Sequence, residues 1–252
     1  VADVHSDVDH HRTVFTLIAR PDRLVADVLA LARETVERVD LRHHAGVHPR
    51  LGALDVVPFV ALGAASVDEA VAAREATIAF LATLGVPSFR YGPLSDGTVR
   101  SLPEVRRRAF VDLRPDAGPS GPHPTAGASA VGVRDPLVAW NLWLKGVSLD
   151  ETRAIAASLR SASVRALGFP VTGGTQVSCN LLAPDRVTPG DVFDRVAGAL
   201  PAGGAIDRSE LVGLAPSSVL AAVPEERWEL LDLRRDRTIE AAIVRLGLAP
   251  RE

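Results

Sequence analysis

Apolar positions along the chain change period several times, and each change marks an element. Val14-Phe15-Thr16-Leu17-Ile18 reads as a buried strand, closing an early hairpin. Pro21-Asp22 opens a helix whose apolar positions, Val25, Val28, Leu29, Ala32 and Val36, recur at helical spacing. A loop over 43–52 leads into a strand at Leu54–Val60. Ser66 and Glu69 form a capping box, opening a helix through Val71, Ile78, Leu81 and Leu84 that Gly85 ends. Ser88-Phe89-Arg90-Tyr91 is a short strand.

The stretch from Pro115 to Pro124 is rich in proline and glycine, as in a linker or an ordered crossing loop. Beyond it, Val131–Leu144 reads as one strand, and Ser148-x-x-Glu151 opens a helix through Leu159. Apolar runs at 164–167 and 177–181 follow, then a helix starting at Thr188-Pro189 and a strand near 211–214. The second half thus reads strand, helix, strand, strand, helix, strand, the ferredoxin-like order. The first half reads as the same unit without its opening strand and helix. The expected fold is therefore α/β (α+β), with two ferredoxin-like βαββαβ subdomains over residues 1–128 and 129–252. Paired subdomains of this kind leave a groove suited to a small-molecule site.

Composition narrows the function. With 252 residues and 47% hydrophobic against 23% charged, the chain can build a sizeable core. The formal net charge of −3 offers no general basic field for nucleic acid. A single cysteine, Cys179, supports neither an intrachain disulfide nor a zinc ribbon. No apolar stretch reaches the roughly 18–20 residues of a membrane span, and the start is unlike a signal peptide. These features lead to the expectation of a soluble, cytoplasmic protein. The sequence carries no methionine, which raises the expectation that Val1 is not the natural start.

Six of the seven histidines precede residue 49. The first group, His5-Ser6-Asp7-Val8-Asp9-His10-His11-Arg12, approaches the His-x-His-x-Asp-His spacing of dinuclear metallohydrolases; the competing reading is a polar hairpin tip. The second, His43-His44-Ala45-Gly46-Val47-His48-Pro49-Arg50, contains two histidines four apart, but Gly46 and Pro49 oppose a helix. A bent loop presenting an imidazole for proton transfer and a guanidinium for carboxylates is expected instead. Third, His123-Pro124-Thr125-Ala126-Gly127-Ala128, with Arg134 and Asn141 beyond, permits close backbone approach to a ligand. Fourth, alternation puts Gln176, Ser178 and Asn180 on one strand face. Arg106-Arg107-Arg108 reads as a solvated helix face, with attraction for a polyanionic tail as the functional alternative.

Taken in order, these runs resemble the formiminotransferase domain, the glutamate formimidoyltransferase of histidine breakdown. The resemblance rests on DVHSDxDH at 3–10, RTVFT at 12–16, HPRLGALDVVPF at 48–59, LPEVRR at 102–107, HPTAGA at 123–128, QVSxNL at 176–181 and SELVGL at 209–214. It implies two ferredoxin-like subdomains with the active site in the groove between them, in a homodimer. It further implies transfer of a formimino group from N-formimino-L-glutamate to N5 of tetrahydrofolate, a co-substrate that can be polyglutamylated, without a metal. His48 falls on the family's catalytic histidine. The formimino cation would be met by Asp7, Asp9 or Asp55, and substrate carboxylates by Arg12, Arg50 or Arg134. His5, Thr125, Asn141, Gln176, Ser178 and Asn180 complete the expected binding set, with the amides of Gln176 and Asn180 suited to a pterin edge.

The sequence departs from this pattern at three places. The V-P-N-F-S-E-G-like opening strand and its helix are absent, His11 stands where asparagine is usual, and Arg108 where glycine is usual. The alternatives are a metal-dependent hydrolase using the His and Asp clusters, or a folate-binding homologue with impaired turnover.

Overall fold

Helix starts are set by local chemistry. Ser66, Ser148 and Thr188 each accept from the backbone N–H three residues on, while Glu69, Glu151 and Asp191 reach back to the capping residue. The computed structural model describes residues 1–249; residues 250–252, the end of the expected second subdomain, lie outside them. These residues form two compact units. One, here the C-terminal unit, comprises Val1–Ile18, Gly46–His48 and the chain from Pro136 onward; the other, the central unit, comprises Ala19–Ala45 and Pro49–Asp135.

In the C-terminal unit the order is β7 (Val138–Lys145), α4 (Leu149–Leu159), β8 (Val164–Val171), β9 (Gly174–Leu181), α5 (Pro189–Gly198) and β10 (Ala205–Val212). The strands lie in the order β10-β7-β9-β8, every neighbouring pair antiparallel. This is the split βαβ arrangement expected of the second half. One sheet face meets the helices in a core built on Trp140, Leu142, Leu144, Val177, Cys179, Leu181, Ile155, Val192 and Val196. Trp140 is buried there, and its Nε1–H donates to the Leu231 carbonyl at 2.9 Å. The hairpin β1 (Asp3–Asp7) and β2 (Arg12–Thr16) belongs to the same unit. Its base is held where Ala2 packs with Leu214 and Ala242 of α7 (Ile239–Arg245).

In the central unit, α1 (Pro21–Arg38) packs on α2 (Val67–Thr83). The sheet contains β3 (Val56–Phe59), β4 (Ser88–Pro93), β5 (Val99–Arg100) and β6 (Ser129–Val133), in the order β3-β6-β4-β5, and α3 (Leu102–Arg108) follows β5. β6 runs parallel to both β3 and β4, so this sheet is mixed and not wholly antiparallel. Pro58 is exposed and tolerated because β3 is an edge strand.

One expectation is corrected. Val131–Leu144 is not one strand: β6 ends at Val133 and β7 begins at Val138, in different sheets. Arg134-Asp135-Pro136 separates the two apolar runs, and Pro136 lacks an N–H and restricts the residue before it. By contacts alone the chain groups differently from the expected boundary at 128/129. β6 is hydrogen-bonded between β3 and β4, which assigns 129–135 to the central unit, whereas the opening hairpin belongs with 136 onward.

Candidate functional site

The hairpin alternates half-buried and exposed positions, with Asp3, His5, Asp7, Arg12, Val14 and Thr16 on the half-buried face. Arg12 stands opposite Asp7 in the ladder. At the tip, the His10 N–H donates to Asp7 Oδ1 at 2.7 Å, and His11 takes φ +48°, the left-handed region that asparagine enters more readily. A residue with asparagine's local freedom is what this turn geometry favours, and His11 occupies it. The polar-tip reading of this cluster thus describes its local geometry.

Asp9 ties the tip to two other segments. Its carboxylate accepts from the Thr172 hydroxyl at 2.6 Å and from the Thr172 N–H at 3.1 Å, at the turn between β8 and β9. Its carbonyl accepts from the Val47 N–H at 3.0 Å. That bond fixes the residue next to His48. Residues 44–48 form no helix, since only Leu41–His43 make a short 3₁₀ turn; Gly46 and Pro49 act as expected.

The half-buried His48 imidazole lies in an aromatic cluster. Its centroid is 5.8 Å from that of His10, at 83°, and 5.7 Å from that of Phe169. His10 meets Phe169 edge-on at 5.3 Å. Phe169 is on β8 and pairs with Gln176 on β9, which pairs in turn with Trp143 on β7. Paired residues share a face, so Phe169, Gln176 and Trp143 form one row on the sheet face opposite the helices. The next row is Ser178, Asn141 and Glu210. Asn141 Nδ2 donates to Glu210 Oε2 at 2.9 Å, and His5 Nε2 is 3.6 Å from Glu210 Oε1.

Gln176, Ser178 and Asn180 do share a face, graded from fully buried to exposed. Gln176 is 0% exposed, yet among the described residues neither atom of its amide has a hydrogen-bond partner, nor has Trp143 Nε1. Buried polar groups are normally satisfied, so an unmet donor and acceptor here fit a ligand that presents a complementary edge. Cys179 points to the opposite, core face, where burial pushes its thiol up to about 12 and leaves it inert.

The remaining expected residues belong to the central unit, where most have local tasks. Asp55 is buried, accepts from the Leu51 N–H at 2.7 Å and pairs with Arg106 at 2.5 Å. Arg106 also donates to the Pro49 carbonyl at 3.0 Å, so this pair braces the loop that follows His48. Arg108 pairs with Glu104 and Asp112; only part of the arginine run is a solvated face. Arg50 Nη1 lies 3.4 Å from His44 Nδ1. Arg134 donates to the Asp135 carbonyl, and burial lowers its guanidinium from the usual range.

The HPTAGA run makes its close approach to another backbone segment. A Cβ on Gly52 would lie 2.0 Å from the Ala128 carbonyl oxygen, and one on Gly127, at φ +68°, 2.4 Å from that of Leu51. The Ala53 N–H bonds the Ala126 carbonyl, and the Ala128 N–H bonds the Leu51 carbonyl. Thr125 sits in the turn beside His123, whose Nδ1 accepts from the Ala126 N–H at 3.1 Å. Among the described residues no three His, Cys, Asp or Glu side chains gather in a way that could hold a metal ion. No helix among them is long and apolar enough to cross a membrane.

His10, Thr172, Phe169, Trp143 and Glu210 were not singled out by sequence. His10 was visible in the histidine cluster, and Glu210 in the SELVGL run; the others carry no pattern, because only the sheet register brings them to this face.

Comparison with known proteins identifies the family. The model of the formiminotransferase domain, N-terminal subdomain, matches residues 1–134. The formimidoyltransferase-cyclodeaminase of Sus scrofa is 33% identical over 98% of this chain and 50% of its own length. The glutamate formimidoyltransferase of Streptococcus pyogenes is 32% identical over 91% of this chain and 83% of its own, and that of Thermoplasma acidophilum 30% over 91% and 82%. The chain therefore spans about half the length of its cyclodeaminase-bearing relatives and most of the length of the shorter ones. By the family model and by these relatives, this chain belongs to the formiminotransferase family of transferase enzymes.

Proposed function

We propose that the chain transfers a formimino group from N-formimino-L-glutamate to N5 of tetrahydrofolate, giving 5-formiminotetrahydrofolate and L-glutamate, as a step in histidine breakdown and one-carbon metabolism. The observation that carries the reading is the setting of His48: a half-buried imidazole in the HPRLGALDVVPF run, packed against both His10 and Phe169, in a chain about one-third identical to a named glutamate formimidoyltransferase. Tetrahydrofolate supplies the nucleophilic nitrogen. His48 takes the proton released when N5 bonds to the formimino carbon, and returns one to the glutamate nitrogen as its bond to that carbon breaks.

Of the carboxylates considered for the cationic formimino group, Asp9 is engaged by Thr172 and Asp55 by Arg106 and Leu51. Asp7 holds the His10 N–H and remains a candidate. Glu210, which accepts from Asn141 and lies beside His5, is a further candidate. The unmet amide of Gln176 and Nε1 of Trp143 support binding of a heterocyclic edge such as the pterin.

The test is an absorbance assay for 5-formiminotetrahydrofolate. Wild-type chain is expected to form it, and His48→Ala to lose at least ~100-fold in rate. Equal rates in both would refute the role of His48, and no product with wild type would refute the reaction.

A further inference from the structure

The environment of His48 has a feature that general acid–base chemistry does not require. A second imidazole, His10, stands edge-on to it, and His10 is itself 6% exposed and held at the hairpin tip by Asp7. Asp7 Oδ1 accepts the His10 backbone N–H at 2.7 Å and lies 3.4 Å from His10 Nδ1, so one carboxylate fixes both the backbone and the ring of this residue. Phe169 packs against both rings, edge-on to His10 at 81° and tilted to His48 at 39°. The segment carrying His48 is anchored at the same tip, through the Val47 N–H on the Asp9 carbonyl. Hairpin tip and β8 thus define the placement of the imidazole from three directions.

We propose that His10 is a positioning residue for His48, its ring serving with Phe169 as a wall that fixes the orientation of the catalytic imidazole. The assignment rests on the reading of His48 as the acid–base group. Rotation about the side-chain torsions of a loop histidine would otherwise sweep its nitrogens through several directions, and misplacement of a catalytic group by about 1 Å costs on the order of 100-fold. Aromatic edge-to-face contacts are directional enough to select one of these orientations. Asp7 completes the device by holding the wall; its carboxylate would then act on catalysis through His10.

The experiment compares wild type, His10→Ala and His10→Phe in the full chain by two independent readouts. The first is the ring-proton NMR spectrum of His48, assigned with His48→Gln, in the absence of substrate. In wild type the neighbouring rings shift these protons away from their free-histidine positions. The shift is expected to collapse in His10→Ala and to persist in His10→Phe, while the His123 resonances, in the central unit, stay in place. The second is steady-state kinetics: His10→Ala should lose at least ~10-fold in kcat with KM within about twofold, and His10→Phe should keep kcat within about threefold of wild type. His48 resonances unchanged in His10→Ala, or His10→Phe as impaired as His10→Ala in both readouts, would overturn the proposal. Should His10→Ala lose its folded spectrum, His10→Leu, which fills the space without a flat edge, takes its place with the same expectations. Wild-type chain without formimino transfer would sink the reaction reading, and the NMR comparison would still decide the role of His10.

Discussion

The Thr172 hydroxyl donates to the Asp9 carboxylate at 2.6 Å, joining residues 163 positions apart in the chain. Asp9 thereby ties the hairpin tip to the β8–β9 turn, and its carbonyl also holds Val47.

That bond should be measurable as a coupling. Thr172→Val and Asp9→Ala are each expected to lower stability by about 1 kcal/mol, the modest scale of a charge-assisted hydrogen bond at an exposed site. The double variant should cost less than the sum by about 0.5 kcal/mol or more, read from urea unfolding. Full additivity would show that the two groups do not interact in solution.

The Gly52–Gly127 approach has a harsher consequence. Gly52→Ala puts a methyl 2.0 Å from the Ala128 carbonyl oxygen and 2.6 Å from that of Ala126, both backbone atoms in a hydrogen-bonded bridge. A loss of about 3 kcal/mol or more is expected, because neither segment can yield without breaking the bonds to Ala53 and Ala128. A melting temperature within about a degree of wild type would contradict the packing described.

A pH dependence follows from Glu75. Hydrogen bonds from Arg90 lower its carboxyl from the ordinary value of 4.5, with Arg74 assisting, and Arg90 is raised in return. A carboxylate lowered on folding stabilises the folded chain above its unfolded value, and that contribution is lost as pH falls through the lower folded value. The urea midpoint should therefore drop as pH is taken below about 4.5, and Glu75→Gln should flatten the part of the slope that Glu75 supplies. Identical slopes in both proteins would assign acid sensitivity to other groups.

Much of the fold was legible because its causes are local. The two capping boxes at Ser66 and Ser148, with Thr188-Pro189, place three helix starts within one residue, and alternation at 174–181 separates Val177 and Cys179 from Gln176 and Ser178 without reference to any other strand. The site was legible only in part. His48 stood out through the resemblance of its HPRLGALDVVPF run, Gly46 and Pro49 adding only that its segment is a loop, whereas Phe169 and Thr172 look like ordinary residues of a strand and a turn.

By itself, then, the sequence determined the starts of the four longest helices, the loop character of residues 44–48 and the family, since short-range sterics and hydrogen bonding decide the first two and long matching runs the last. Tertiary structure alone decided which carboxylates are occupied, which strand β6 joins and which aromatic rings meet His48. Partner choice across tens of residues depends on sheet register and on competition among groups of the same chemical type. Asp7, Asp9 and Asp55 are equivalent as letters, and only packing gives one to His10, one to Thr172 and one to Arg106.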